Sequence, residues 1–133
     1  MTHEEAPAST TGWRAPARTT GTEAPASTSG DEAPASTTGW RAPASTTGWR
    51  APASTTGDRA PATTTGAGSV ACCVGPSGRA RAGTHGTIVL AWWDDAGRAR
   101  IAVGYPGEGG IEADREYGCD AAGRLVPTEG GTP

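Results

Sequence analysis

The sequence has no Phe, Lys, Asn or Gln, and Leu, Ile and Val together number ten of 133 residues. That is under 8%, against the roughly 20% below which chains tend towards disorder. All ten lie between Val70 and Val126. A single globule of this length has to bury well over half of its unfolded surface, so the scarcity excludes one large-aliphatic core over the whole chain. No run of 18 apolar residues occurs, which excludes a membrane-spanning helix. With 11 Arg against 14 acids, a net charge of −3, there is no basic field to attract nucleic acid by counterion release. Nor is there a polybasic cluster for an anionic bilayer. Met1-Thr2-His3-Glu4-Glu5 places acids where a secretory signal needs positive charge and then an apolar stretch, so the expected location is cytoplasmic. The missing Lys, Asn and Phe have AT-rich codons, and their absence points to a GC-rich coding sequence.

What the chain has in abundance is Gly (21) and Pro (11), and their placement is regular. Residues 4–66 divide into seven copies of a nonapeptide, x-x-Ala-Pro-Ala-Ser-Thr-Thr-Gly, without insertion or deletion. Prolines fall at 7, 16, 25, 34, 43, 52 and 61, and glycines close the copies at 12, 21, 30, 39, 48, 57 and 66. A solenoid needs each repeat to offer an apolar face that its neighbours cover, and these copies hold no Leu, Ile or Val. The calcium-binding nonapeptide of β-rolls needs paired glycines and an Asp at a fixed offset, whereas each copy here has one Gly and Asp occurs only at 31 and 58. Pro disfavours helix in the residue before it, and Gly breaks helices. The expectation is therefore a disordered, semi-flexible arm over residues 1–67.

The first two positions of the copies vary most; elsewhere only Arg18, Ser29 and Thr63 depart from the unit. Three copies carry Trp-Arg there, which makes Trp13, Trp40 and Trp49 candidate binding residues, since an indole beside a guanidinium stacks on sugars, bases or Pro-rich partners. Ser and Thr number 22 in the first 66 residues, a composition that suits an O-glycosylated or phosphorylated stalk.

From Gly68 large apolar residues arrive, and the expectation for residues 68–133 is a small all-β domain with a frayed tail from about 128. Three turns of one design, Gly75–Arg79, Asp94–Arg98 and Asp120–Arg124, each fit a hairpin loop with a left-handed Gly. They predict an antiparallel meander of five or six strands, either open or curled into a partial barrel. In the middle hairpin Trp93 faces Ala99, Ala91 faces Ile101 and Val89 faces Val103, giving one apolar face for the core. Ile88, Leu90 and Trp92, with Arg100 across from Trp92, form a second face, either a candidate binding stripe or, the favoured reading, the second side of the core packed by Val70, Val74, Leu125 or Val126.

Little in the chain suits catalysis. Cys72, Cys73, Cys119 and His85 supply the number of ligands that a structural zinc site requires, but adjacent cysteines on a strand point to opposite faces. The preferred reading is three reduced, structural thiols, with no metal and no cofactor. Asp94-Asp95 falls in a turn, where Asp acts first as a turn former. The function expected is non-enzymatic: a flexible repeat tether carrying a small β domain that contacts a protein partner or another copy of itself. The alternatives are a modified, surface- or wall-associated stalk and a small zinc or thiol site.

Overall fold

The computed structural model describes residues 8–128. They contain strands and turns and no helix, so no helix there is long and apolar enough to cross a membrane. Each of the seven copies contributes one strand from its Ala-Ser-Thr (Ala-Arg-Thr in the second, Ala-Thr-Thr in the seventh). These are β1 (Ala8–Thr10), β2 (Ala17–Thr19), β3 (Ala26–Thr28), β4 (Ala35–Thr37), β5 (Ala44–Thr46), β6 (Ala53–Thr55) and β7 (Ala62–Thr64). The winding continues through β8 (Val70–Cys73), β9 (Ala80–Ala82) and β10 (Thr87–Trp93). Odd strands stack in parallel in a first sheet and even strands in a second. The register pairs residues 18 apart, as in Ala26↔Ala44 and Ala35↔Ala53, so two copies make one coil. The protein is a β-solenoid.

This overturns the expectation of a disordered arm joined to a small antiparallel domain. The composition change near residue 67 is no break in the winding, because β6 pairs with β8 and β7 with β9 across it. Residues 1–7, the start of the expected arm, lie outside the described residues, as does the expected tail beyond Thr128.

The solenoid argument failed on the size of side chain a coil needs. The third, fifth and seventh residues of the second to seventh copies (Ala, Ala, Thr) point inward, as do Ala8 and Thr10 of the first. Of the 18 buried apolar residues, 14 are alanines. With such small side chains, Cα atoms of successive strands in opposite sheets approach within 8 Å, closer than the ~10 Å usual for packed sheets. Ala and Thr therefore fill a core that Leu would overfill. The buried Thr hydroxyl would be costly if unpaired, but the next turn supplies a partner. Thr19, Thr28 and Thr37 donate at 2.5 Å to the carbonyls of Ala24, Ala33 and Ala42. Thr46 donates likewise to Ala51, and Thr55 to Ala60 at 2.7 Å.

Gly and Pro, read from sequence as breakers, have fixed structural places. A Cβ on Gly30, Gly39, Gly48, Gly57, Gly66 or Gly75 would overlap the carbonyl oxygen of the Gly one coil earlier, so that edge of the coil admits only Gly. The Pro of the third to seventh copies lacks a donor but its carbonyl accepts from the preceding coil, as in Ala8 N to Pro25 O and Ala26 N to Pro43 O, both 3.0 Å. The variable pair forms the turn, and its second residue has positive φ: Arg14, Glu23, Glu32, Arg41, Arg50 and Arg59 lie between 54° and 61°. In the eighth copy this place is held by Gly68.

The last coil is closed by antiparallel strands. β11 (Ala99–Gly104) pairs with β10. β12 (Arg115–Cys119) pairs with β9 and with β13 (Leu125–Pro127). The hairpins at Asp94–Arg98 and Asp120–Arg124 form as expected, with Gly97 and Gly123 at φ 81° and 85°. The expected hairpin at Gly75–Arg79 does not form: Ser77 takes the positive φ, and the strands it joins, β8 and β9, lie in different sheets. Ile88, Leu90 and Tyr117 are buried where the cap meets the coils, with Ile111 and Leu125 packed against them.

Two measurements test this account. The hydroxyl of Thr64 is buried and has no hydrogen-bond partner. Thr46→Val should therefore cost about 1–3 kcal/mol, whereas Thr64→Val should be neutral or stabilising; equal losses in urea unfolding would contradict the pairing. Left-handed backbone at a residue with a Cβ costs about 1–2 kcal/mol, partly offset by the greater unfolded-state freedom of Gly. Arg59→Gly should accordingly raise Tm by about 2–4 °C, and Gly48→Ala should lower it.

Candidate functional site

The sequence candidates fall at separate places in the solenoid. Cys73 occupies the inward Thr position of the eighth copy and is buried. Its thiol donates to the Ala60 carbonyl at 2.9 Å and lies 2.9 Å from the Thr55 hydroxyl. Cys72 points outward on the second sheet, His85 sits in a turn at φ 63°, and Cys119 lies on β12 of the first sheet. Among the described residues no group of three or more His, Cys, Asp or Glu is placed to hold a metal ion. Burial, with the negative charge of Asp120 beside it, raises the Cys119 thiol to about 11. Burial also raises Cys72 and Cys73, with Cys73 adding to the effect at Cys72.

The Trp-Arg pairs lie on the two edges of the coils. Each guanidinium covers its own indole: Arg14 over Trp13 at 4.5 Å, Arg41 over Trp40 at 5.0 Å and Arg50 over Trp49 at 4.6 Å. Because copies alternate between edges, Trp13 and Trp49 share one edge, with Asp31 between them in the stack, and Trp40 stands on the other. The charges on these edges pair between coils, Arg14 with Glu32 at 2.8 Å and Arg41 with Glu23 at 4.0 Å. Asp31 also accepts from the Trp49 backbone N–H at 2.9 Å. Exposed pairs of this kind contribute about 0–1 kcal/mol each.

The β10–β11 hairpin has the expected register, Trp93↔Ala99 to Val89↔Val103, with Trp92 opposite Arg100. The stripe of Ile88 and Leu90 is the inner side of the sheet, the favoured of its two readings, whereas the face assigned to the core is not buried. Ile88 and Leu90 are in the core, and the Trp92 indole packs over Gly123. Arg100 turns to the Asp94 carboxylate at 2.8 Å. Periodicity identified both faces but did not say which one the preceding coil covers. The face read as core is the one in solvent: Trp93, Ile101, Val103 and Tyr105 are 42%, 55%, 46% and 50% exposed. It continues onto β8, where Val70 and Val74 are exposed in the columns that carry Pro and Thr in the copies below. The result is an apolar sheet face across β8, β10 and β11. Sequence reasoning missed it because it took the repeat to end at Gly66. Ala53, Ala62, Ala71 and Ala80 keep the nine-residue spacing past that point and could have revealed the continuation.

The acids of the cap serve its turns. Asp94 accepts from the backbone N–H groups of Ala96 and Arg98, both at 3.0 Å, and Asp120 from those of Ala122 and Arg124, both at 2.9 Å. The Arg100 side chain is the main influence lowering the Asp94 pKa, and the Arg124 N–H the main one at Asp120. An open cleft of about 560 Å³ lies between Gly104, Ile111 and Leu125, and its ionisable lining is Tyr105, Glu108 and Arg124. The Arg124 side chain is already held by Asp120 at 3.2 Å.

The chain matches no protein-family model, no curated protein and no solved structure.

The thiol chemistry can be checked directly. With a pKa of about 11, Cys119 is about one part in a thousand thiolate at pH 8, and the thiolate is the nucleophile. Its alkylation by iodoacetamide should be slow at pH 8 and rise about tenfold per pH unit towards 11. Fast, pH-independent labelling followed by peptide mapping would contradict that environment.

Proposed function

We propose that this protein is a non-enzymatic repeat rod that carries a protein-contact surface at its capped end. The flexible tether becomes a hydrogen-bonded stack, so the copies set a distance rather than a reach. Each coil adds one strand spacing, about 4.8 Å, to the rod. The observation that carries the reading is the exposed apolar face of Trp93, Ile101, Val103, Tyr105, Val70 and Val74. Contiguous exposed apolar surface of this kind usually marks an interaction site.

The occupant this reading commits to is a second copy of the chain. The face is a sheet, and two such faces bury one another by sheet-on-sheet packing. The hairpin tip beside it exposes both Asp95 and Arg98, so a two-fold pairing brings opposite charges together at its rim. Strand spacing and rise give the face a projected area of about 300 Å² per copy, which places the association in the weak, concentration-dependent class.

Sedimentation equilibrium of the full chain should show reversible dimerisation. Ile101→Asp with Val103→Asp should abolish it while leaving the far-UV circular dichroism unchanged, because both side chains are exposed. A wild-type chain that stays monomeric over the whole soluble range would end this reading.

A further inference from the structure

The outward columns of the repeat take no part in the core or in the edges. In the second to seventh copies the fourth, sixth and eighth residues (Pro, Ser, Thr) face solvent on the broad side of a sheet, as do Ser9 and Thr11 of the first. On the first sheet this gives Ser9 and Thr11, Ser27 and Ser29, Ser45 and Thr47, and Thr63 and Thr65, one pair per coil. The pairs are in register because their strands are: Ser9↔Ser27, Ser27↔Ser45 and Ser45↔Thr63. The hydroxyls thus form a four-by-two array, with rows about 4.8 Å apart along the rod and columns about 6.7 Å apart across it.

Three further observations bear on what this array does. None of its hydroxyls makes a hydrogen bond within the chain among the described residues, whereas the inward Thr hydroxyls of the second to sixth copies are all engaged. No charged side chain interrupts this face between β1 and β7, because the charges sit at the variable edge positions. Nor does folding require a hydroxyl there, since Arg18 and Arg81 occupy the same sixth position in other copies. Yet 13 of the 14 sixth and eighth residues in the seven copies are Ser or Thr, although the same copies diverge freely at their first two positions.

We propose that the outer face of the first sheet, from β1 to β7, binds ice. A charge-free array of hydroxyls and Thr methyls, held by the backbone at two fixed spacings, presents donors and acceptors at intervals close to the oxygen repeats of ice surfaces. Hydroxyls placed in this way hold water in a lattice, whereas a charged surface draws it into ion hydration shells. Stiffness is part of the device, because a disordered arm would have to be ordered at an entropic cost on contact. The face lies on the sheet opposite the apolar dimer surface and stays free whether or not the chain pairs.

The test uses the full chain, with circular dichroism to establish that each variant is folded. Wild type should show thermal hysteresis and should concentrate in a slowly growing ice hemisphere. Ser45→Arg with Thr47→Arg, which interrupts the array at its centre, should reduce both by about tenfold or more. Ser36→Arg with Thr38→Arg on the opposite sheet should leave both nearly unchanged. A folded wild type excluded from ice, binding to crystalline cellulose or chitin without binding to ice, or equal losses in the two variants would each overturn the proposal.

Discussion

The bond from an inward threonine hydroxyl to the carbonyl of the next turn is the interaction on which the architecture rests. A coil this narrow has room for methyl-sized groups and little else, so its interior cannot draw much stabilisation from burying large side chains. Threonine offers a methyl for packing and a hydroxyl that satisfies a carbonyl at the turn, where the chain leaves one sheet for the other. The bond thereby closes the coil and also removes the penalty of a buried polar atom. The Gly column follows from the same narrowness, because coils packed this closely bring backbone against backbone. Pro then fits where a carbonyl is needed and an N–H is not.

Stacked coils leave an open sheet edge at each end, and exposed edges template aggregation. At the C-terminal end β11 and β12 cover the edges of β10 and β9 in antiparallel fashion. The larger side chains of the protein gather where this change of direction widens the interior. Ile88, Leu90 and Tyr117 are buried there. Most of the other large aliphatics are outside, so the usual relation between side-chain size and burial is reversed. Alanine forms the core, and valine and isoleucine form part of the surface.

Much of the local structure was legible in the sequence. The nonapeptide, the two Asp-initiated hairpins and the register of the Val89–Val103 ribbon all follow from spacing and turn chemistry that act within a few residues. The fold class was not legible, because the test applied to the repeat asked for large apolar residues. The required size depends on how far apart the two sheets stand, which is a tertiary distance. The exposed apolar face was misplaced for a related reason. Alternation divides a strand into two faces, but only the coil beneath β10 decides that Ile88 and Leu90 go inward and that Ile101 and Val103 remain in solvent.

By itself the sequence determined the period, the two Asp-initiated turns of the cap, the register of the hairpin between Val89 and Val103, and the sparing use of charge. Those features depend on backbone preferences and on neighbours close along the chain. Only the tertiary structure decided that copies two apart become neighbours. That pairing sets acidic turns against basic ones, hides one threonine of each pair and exposes the other, and divides Trp13 and Trp49 from Trp40. The physical reason is the coil of 18 residues: the strand pairings and the edge ion pairs Arg14–Glu32 and Arg41–Glu23 span that distance, and nothing within a single copy specifies it.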